Sequence, residues 1–294
     1  MKTIILFPLL LTAILSAQDT ISYQWPVTPF NSQQIITGTF CEFRNTLSSN
    51  HFHNGTDIPK ADGSAVYPVL NGTVSAISPS SVSGTSAYVR VTGTVNGVSK
   101  NMAYVHIEPS PTLTMGQSVT AGVTVLGNIL SGQGHTHLID GAFNSETNAL
   151  RKTGGVEPYI DTWKPKVLSV KFYQDNSDVE FTTNKVFGLF DIVAQMVEVN
   201  ANASPNSGST SNNGVYHTGY KIYSADKSSV VYNPGVNGVR YKFDWKPNDD
   251  HANIVYTLSS TTSQHIYYLT NGTGNIGTSK SQSVANSAFS SALL

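Results

Sequence analysis

Cysteine is almost absent from this chain of 294 residues: Cys41 is the only one, so no disulfide can form within it. Charge is scarce too. Asp, Glu, Lys and Arg make up 12% of the residues and the formal net charge is -1, about half the usual charged share. That balance excludes binding driven by neutralisation of phosphates, so no nucleic-acid partner is expected. There is no coiled-coil heptad, no repeat of solenoid length and no HExxH motif, so no helix-borne zinc site with a glutamate base is offered. Long apolar runs are also missing. The one candidate is at the start, where Lys2 precedes an apolar stretch from Ile4 to Leu15, broken only by Pro8 and Thr12, with Ser16-Ala17 before Gln18-Asp19. It is shorter than the roughly 20 residues that span a bilayer. Residues 1–17 therefore read as a secretory signal cleaved near Ala17, with an uncleaved anchor as the alternative, and no membrane-spanning segment is expected in the mature chain. Cys41 is too far from that signal to carry a lipid and is expected to be a small packed side chain.

What is abundant is Gly, Ser, Thr, Asn and Tyr, a composition that suits a β-rich protein outside the cytoplasm. Alternating or continuous apolar runs predict strands at 66–70, 72–77, 87–94, 99–107 and 123–130. Asn71-Gly72 and Asn96-Gly97 fall between such runs, a strong hairpin signal, so an antiparallel all-β domain is expected over 18–155. Turn residues and prolines concentrate between 146 and 165, which places a linker at 156–165. Beyond it, about eight short strand-like runs with no helix-length periodic segment predict an Ig-like β-sandwich accessory domain over 166–270. An exposed loop is expected at 201–214 and a flexible, Gly- and Ser-rich tail at 271–294.

The chain's chemistry concentrates in two stretches, His53-Asn54-Gly55-Thr56-Asp57 and Gly134-His135-Thr136-His137-Leu138. Residues i and i+2 of a strand share a face, so His135 and His137 are expected to aim at one site, about 6.6 Å apart along the backbone. One can hold a metal while the other works beside it. Gly55 and Ile58-Pro59 argue against a helix at 53–57, so a bend must bring His53 and Asp57 together. Together with His137 they offer three N/O ligands, the set of a catalytic zinc that keeps a fourth position for water.

HNGTD at 53–57, AYVHI at 103–107 and HTH at 135–137 stand in the order of the lysostaphin-type, LytM-like zinc metallopeptidases, a family this chain resembles over about residues 37–145. Ala65-Val66-Tyr67-Pro68-Val69 before Asn71-Gly72-Thr73-Val74 and the turn Gly116-Gln117-Ser118-Val119-Thr120-Ala121-Gly122 are similar to further family elements. The chain departs from the pattern after the last motif, where Leu138-Ile139-Asp140 stand in place of Phe-Glu. The resemblance implies zinc held by His53, Asp57 and His137, with His106 and His135 assisting catalysis. It also implies a periplasmic, cell-envelope or secreted endopeptidase that cuts peptide bonds of peptidoglycan. Two other readings stay open: an inactive wall-binding or amidase-activating protein, and a secreted protease for Gly-rich proteins.

Arg44 precedes the first ligand and is a candidate for steering a substrate carboxylate, with a structural ion pair as the alternative. Strand alternation puts Tyr104 on the face of His106, making it a second substrate-binding candidate. His51 is expected beside the site or exposed. His217, His251 and His265 lie outside the matched region and are expected to be structural or solvated.

Overall fold

The structure is a computed structural model that describes residues 22–46, 49–161, 164–175, 177–183, 185–198, 213–234 and 237–270. The expected signal at 1–17, the tail at 271–294 and all but two residues of the 201–214 loop lie outside the described residues. Among the described residues no helix is long and apolar enough to cross a membrane.

Every strand pairing within a sheet is antiparallel, and the described α-helices, Ser80–Ser83 and Ala252–Val255, are four residues each. The all-β expectation holds. The main sheet has six strands in the order Thr56–Pro59, His135–Asp140, Val98–Val105, Tyr88–Val95, Gly72–Ser78 and Ser118–Val119. The Asn96-Gly97 turn closes the hairpin between Tyr88–Val95 and Val98–Val105 in full register, both residues in the left-handed conformation that such a turn requires. Beneath this sheet lies a core that includes Trp25, Ile58, Val89, Val91, Tyr104, Ile107 and Leu138. A three-stranded sheet of Ala65–Val66, Gly127–Ile129 and Ile107–Pro109 closes one side.

The strand expected at 99–107 is interrupted. Val98–Val105 ends before His106, whose φ of 63° puts it in the left-handed region, and Ile107–Pro109 continues in the other sheet. A non-glycine residue there is strained and re-aims its side chain.

Beyond residue 165, Lys166–Gln174, Phe190–Val197 and His265–Tyr268 form a three-stranded sheet. Two small ribbons pair His217–Gly219 with Val239–Lys242 and Ile222–Tyr223 with Val230–Tyr232. Among the short runs read as strands beyond residue 165, the one at 254–258 begins instead as the end of the Ala252–Val255 helix. The second core is shared along the chain: Phe40, Cys41, Phe43 and Phe52 pack with Ile192, Val215, Tyr241, Phe243, Tyr256 and Tyr267. Cys41 is fully buried in it, as a small packed side chain should be. The segment leading into His53 is thus packed against residues some 200 positions later, and the first 155 residues do not bury their apolar surface by themselves.

Candidate metal centre

The HNGTD loop starts where Phe52 leaves the second core and ends as the edge strand Thr56–Pro59 of the main sheet. Backbone pairing holds it on both sides. Asp57 exchanges hydrogen bonds with the 37–38 segment, Thr37 N–H to its carbonyl at 3.1 Å and its own N–H to Gly38 at 2.9 Å, and it stands opposite His137 in the neighbouring strand. That register puts residues 80 positions apart side by side. Gly55 is required where the loop turns over the site, because a Cβ there would overlap the His137 ring and the Leu138 carbonyl.

Three atoms converge. His53 Nε2 lies 3.1 Å from Asp57 Oδ1 and 2.9 Å from His137 Nδ1, and His137 Nδ1 lies 2.8 Å from the same carboxylate oxygen. The outer ring nitrogens decide what those inner atoms are. His53 Nδ1 donates to the Thr39 carbonyl at 2.8 Å, and His137 Nε2 donates to Asn54 Oδ1 at 2.9 Å. A ring that carries a single proton and spends it outward presents a lone pair inward. Burial pushes His137 down to about 4, so the ring is neutral at ordinary pH. Burial alone would raise Asp57, but His53 and His137 hold its carboxyl well below the usual range. Two ring nitrogens and a carboxylate oxygen thus crowd one another at 2.8 to 3.1 Å, and each residue is only 6–8% exposed. A cation is what satisfies such a set, and two imidazoles with one carboxylate suit zinc with a position left for water. The outward hydrogen bonds are those that fix the tautomer of a ligating histidine.

His106 and His135 stand next to this cluster. Their rings are 4.8 Å apart between centroids, and the His106 ring is 6.0 Å from that of His137. Each spends its Nδ1 proton on a backbone carbonyl at 2.6 Å, His106 on Thr85 and His135 on Gln133. Each is left with a basic Nε2, and that of His135 lies 3.7 Å from Asp57 Oδ1. Burial lowers His106 from its ordinary value. Both rings are more open to solvent than His53, Asp57 and His137.

The two substrate-binding candidates are placed elsewhere. Tyr104 is fully buried in the first core, and its hydroxyl accepts the Val69 N–H at 2.7 Å. Strand alternation failed to predict this because the left-handed turn at His106 takes that ring off the face it would share with Tyr104. Tyr104 is therefore a core residue, not a substrate contact. Arg44 forms the ion pair that stood as its alternative, with Nη2 at 2.7 Å from Asp57 Oδ2 and 2.7 Å from Glu42 Oε1. It neutralises the carboxylate oxygen that faces away from His137. His51 bonds the Ser49 carbonyl, His251 pairs with Asp250, His217 is exposed and His265 is fully buried.

Sequence reading missed the residues that orient the histidines. Asp62 is one: its carboxylate accepts the N–H groups of Gly132 at 2.6 Å and Gly134 at 2.8 Å. The turn it grips contains the Gln133 carbonyl that orients His135. An Asp five residues past a ligand carries no spacing signal, and neither do backbone carbonyls such as those of Thr39 and Thr85.

No protein-family model matches the sequence, and no curated protein matches it. Several solved structures are similar in fold over part of their length. A zinc-containing peptidase from Vibrio cholerae is 22% identical, with a TM-score of 0.36, over 46% of this chain and 41% of that one. The catalytic domain of lysostaphin, an antimicrobial peptidase from Staphylococcus simulans, is 18% identical with a TM-score of 0.31 over 37% of this chain and 83% of that one. The longer lysostaphin chain is 12% identical with a TM-score of 0.35, over 76% and 98%. The chain thus spans less than half the length of the Vibrio peptidase it overlaps, and what defines the site is its own geometry.

Proposed function

We propose that the protein is a zinc metalloendopeptidase that acts outside the cytoplasm on peptide bonds of peptidoglycan. The observation that carries this reading is the buried meeting of His53 Nε2, Asp57 Oδ1 and His137 Nδ1, flanked by the imidazoles of His106 and His135. A zinc ion bound there would acidify a water and polarise an amide carbonyl. The protein supplies the rest. Thr39 and Asn54 fix the ligand rings, and Arg44 holds the outer oxygen of Asp57 in place.

Hydrolysis of an amide also needs a base for the attacking water and a donor for the departing nitrogen. We assign these roles to His135 and His106: each locks its Nδ1–H onto a carbonyl and leaves its Nε2 to take up a proton and return it. The protonated form of either ring also donates to an oxyanion. The wall-peptide substrate rests on the family resemblance of the three motifs, and export rests on the charge and apolar pattern of residues 1–17. Mass spectrometry of fragments released from purified sacculi, with and without a chelator, tests the proposal. Chelator-sensitive release of shortened stem or bridge peptides is expected. Intact sacculi beside cleaved Gly-rich proteins would favour a protease of other substrates, and no cleavage of either would favour a binding module.

A further inference from the structure

We propose that Glu42 is a positioning residue for the metal ligands, and that the C-terminal part of the chain helps to build the metal centre through it. The inference rests on the zinc reading above.

Glu42 is 1% exposed, yet it carries a carboxylate. Its Oε1 faces Arg44 Nη2 at 2.7 Å, the same nitrogen that lies 2.7 Å from Asp57 Oδ2. Its Oε2 accepts the Thr39 N–H and the Thr39 hydroxyl, both at 2.9 Å. The Thr39 carbonyl in turn receives the His53 Nδ1–H. One buried carboxylate therefore fixes both the donor that holds the outer oxygen of Asp57 and the acceptor that sets the tautomer of His53.

A third donor comes from far along the chain. Gly214 N–H donates to Glu42 Oε2 at 3.1 Å, and the Gly214 carbonyl lies 2.9 Å from the Thr39 hydroxyl. The next residue is anchored in the second core, Val215 N–H donating to the Tyr267 hydroxyl at 3.0 Å. Gly214 has no room for a side chain: a Cβ would press on the Cβ and Cα of Glu42. Its φ is not in the left-handed region, so contact with Glu42 and not backbone strain is what demands glycine. Only donors point at Glu42. A glutamine there would turn an N–H2 group toward one of them, leaving a buried donor unmatched and loosening Arg44 or Thr39.

The test measures zinc affinity by competition with a chromophoric chelator, and the visible spectrum of the cobalt(II)-loaded protein, for the full chain and the variants Glu42→Gln, Gly214→Ala and Thr39→Val. Melting of the zinc-free forms is recorded alongside. Outer partners of metal ligands typically contribute about 10- to 100-fold in affinity. Glu42→Gln and Gly214→Ala are expected to weaken zinc binding by about tenfold and to alter the cobalt spectrum, which a loss of stability alone would not do. Thr39→Val removes only the hydroxyl and is expected to give a smaller fall in the same direction, and it carries the test if Gly214→Ala does not fold. Wild-type affinity and spectrum in Glu42→Gln and Thr39→Val would overturn this inference while leaving the zinc reading intact. A wild-type chain that binds no zinc would overturn both.

Discussion

His137 has an exacting position. Its Nδ1 faces two other lone-pair atoms while its Nε2 proton is spent on Asn54, so either a swapped tautomer or a proton on the inner nitrogen breaks the site. His137→Ala is expected to abolish zinc binding and hydrolysis together. His135→Ala should behave differently: its ring touches the cluster only at 3.7 Å, and it is expected to keep stoichiometric zinc while losing most turnover, read by metal analysis beside peptide release. A removed acid–base group typically costs about 10²–10⁴-fold in rate. Retained hydrolysis in His135→Ala would contradict the assignment.

The same burial predicts a pH response for the zinc-free protein. The folded-state value of His137 is depressed to about 4, so as pH falls the unfolded chain takes the proton first. The stability tied to the neutral ring is whole above an ordinary histidine value of about 6.5 and is lost progressively down to about pH 4. Melting of the chelated wild type should therefore drop over that interval, and a His137→Gln variant should lose that part of the drop.

At the scale of elements, the site is made by register. Asp57 stands opposite His137 because the edge strand Thr56–Pro59 pairs with His135–Asp140, and Gly55 lets the loop before it pass over the His137 ring. Gly55→Ala is expected to cost stability by about 1–3 kcal/mol through overpacking and to weaken zinc binding with it, as melting and metal titration would show. Asp62 tests the approach to the HxH strand. Its carboxyl is held below the usual range by the Gly132 and Gly134 N–H groups it accepts, and the turn it grips orients His135. Asp62→Ala is expected to lower turnover several-fold with zinc affinity unchanged, a split that steady-state kinetics and metal titration would reveal.

This is also the scale at which the sequence was most readable. Period-2 alternation and the Asn96-Gly97 turn mark the central hairpin, and the short spacings of HNGTD and HTH mark the residues that meet in the cluster. The hairpin expected at Asn71-Gly72 does not form, because Ala65–Val66 pairs with Gly127–Ile129 and Gly72–Ser78 with Tyr88–Val95 and Ser118–Val119. The reading of Tyr104 went wrong for the same reason it was made. Alternation assumes an unbroken strand, and the left-handed backbone at His106 is set by partners in two different sheets, not by any neighbour in sequence. For Arg44 the sequence allows two roles, and the structure shows the ion pair, Glu42 and Asp57 sharing its Nη2.

For the whole molecule, the consequence is that the metal loop belongs to two cores at once. Phe43 and Phe52 lie at 5.4 and 6.0 Å from the Tyr256 ring, the Tyr256 hydroxyl donates to the Cys41 carbonyl at 2.8 Å, and the Phe52 N–H donates to Asp249 at 2.9 Å. None of this was visible in sequence, because contacts across some 200 residues leave no local pattern. Phe52→Ala is expected to destabilise the chain by about 3–5 kcal/mol, the usual cost of emptying a buried phenylalanine site, measured by denaturant unfolding. A chain ending at residue 161 would expose Phe40, Phe43 and Phe52 and is expected to bind zinc more weakly than the full protein.

The most direct test of the central claim is anomalous diffraction at the zinc edge from crystals of the zinc-loaded protein. The expected result is a single strong peak per chain, bonded at about 2.0–2.2 Å to His53 Nε2, Asp57 Oδ1 and His137 Nδ1, with a water completing the shell. A peak bonded to other residues, or none between these three atoms, would contradict it.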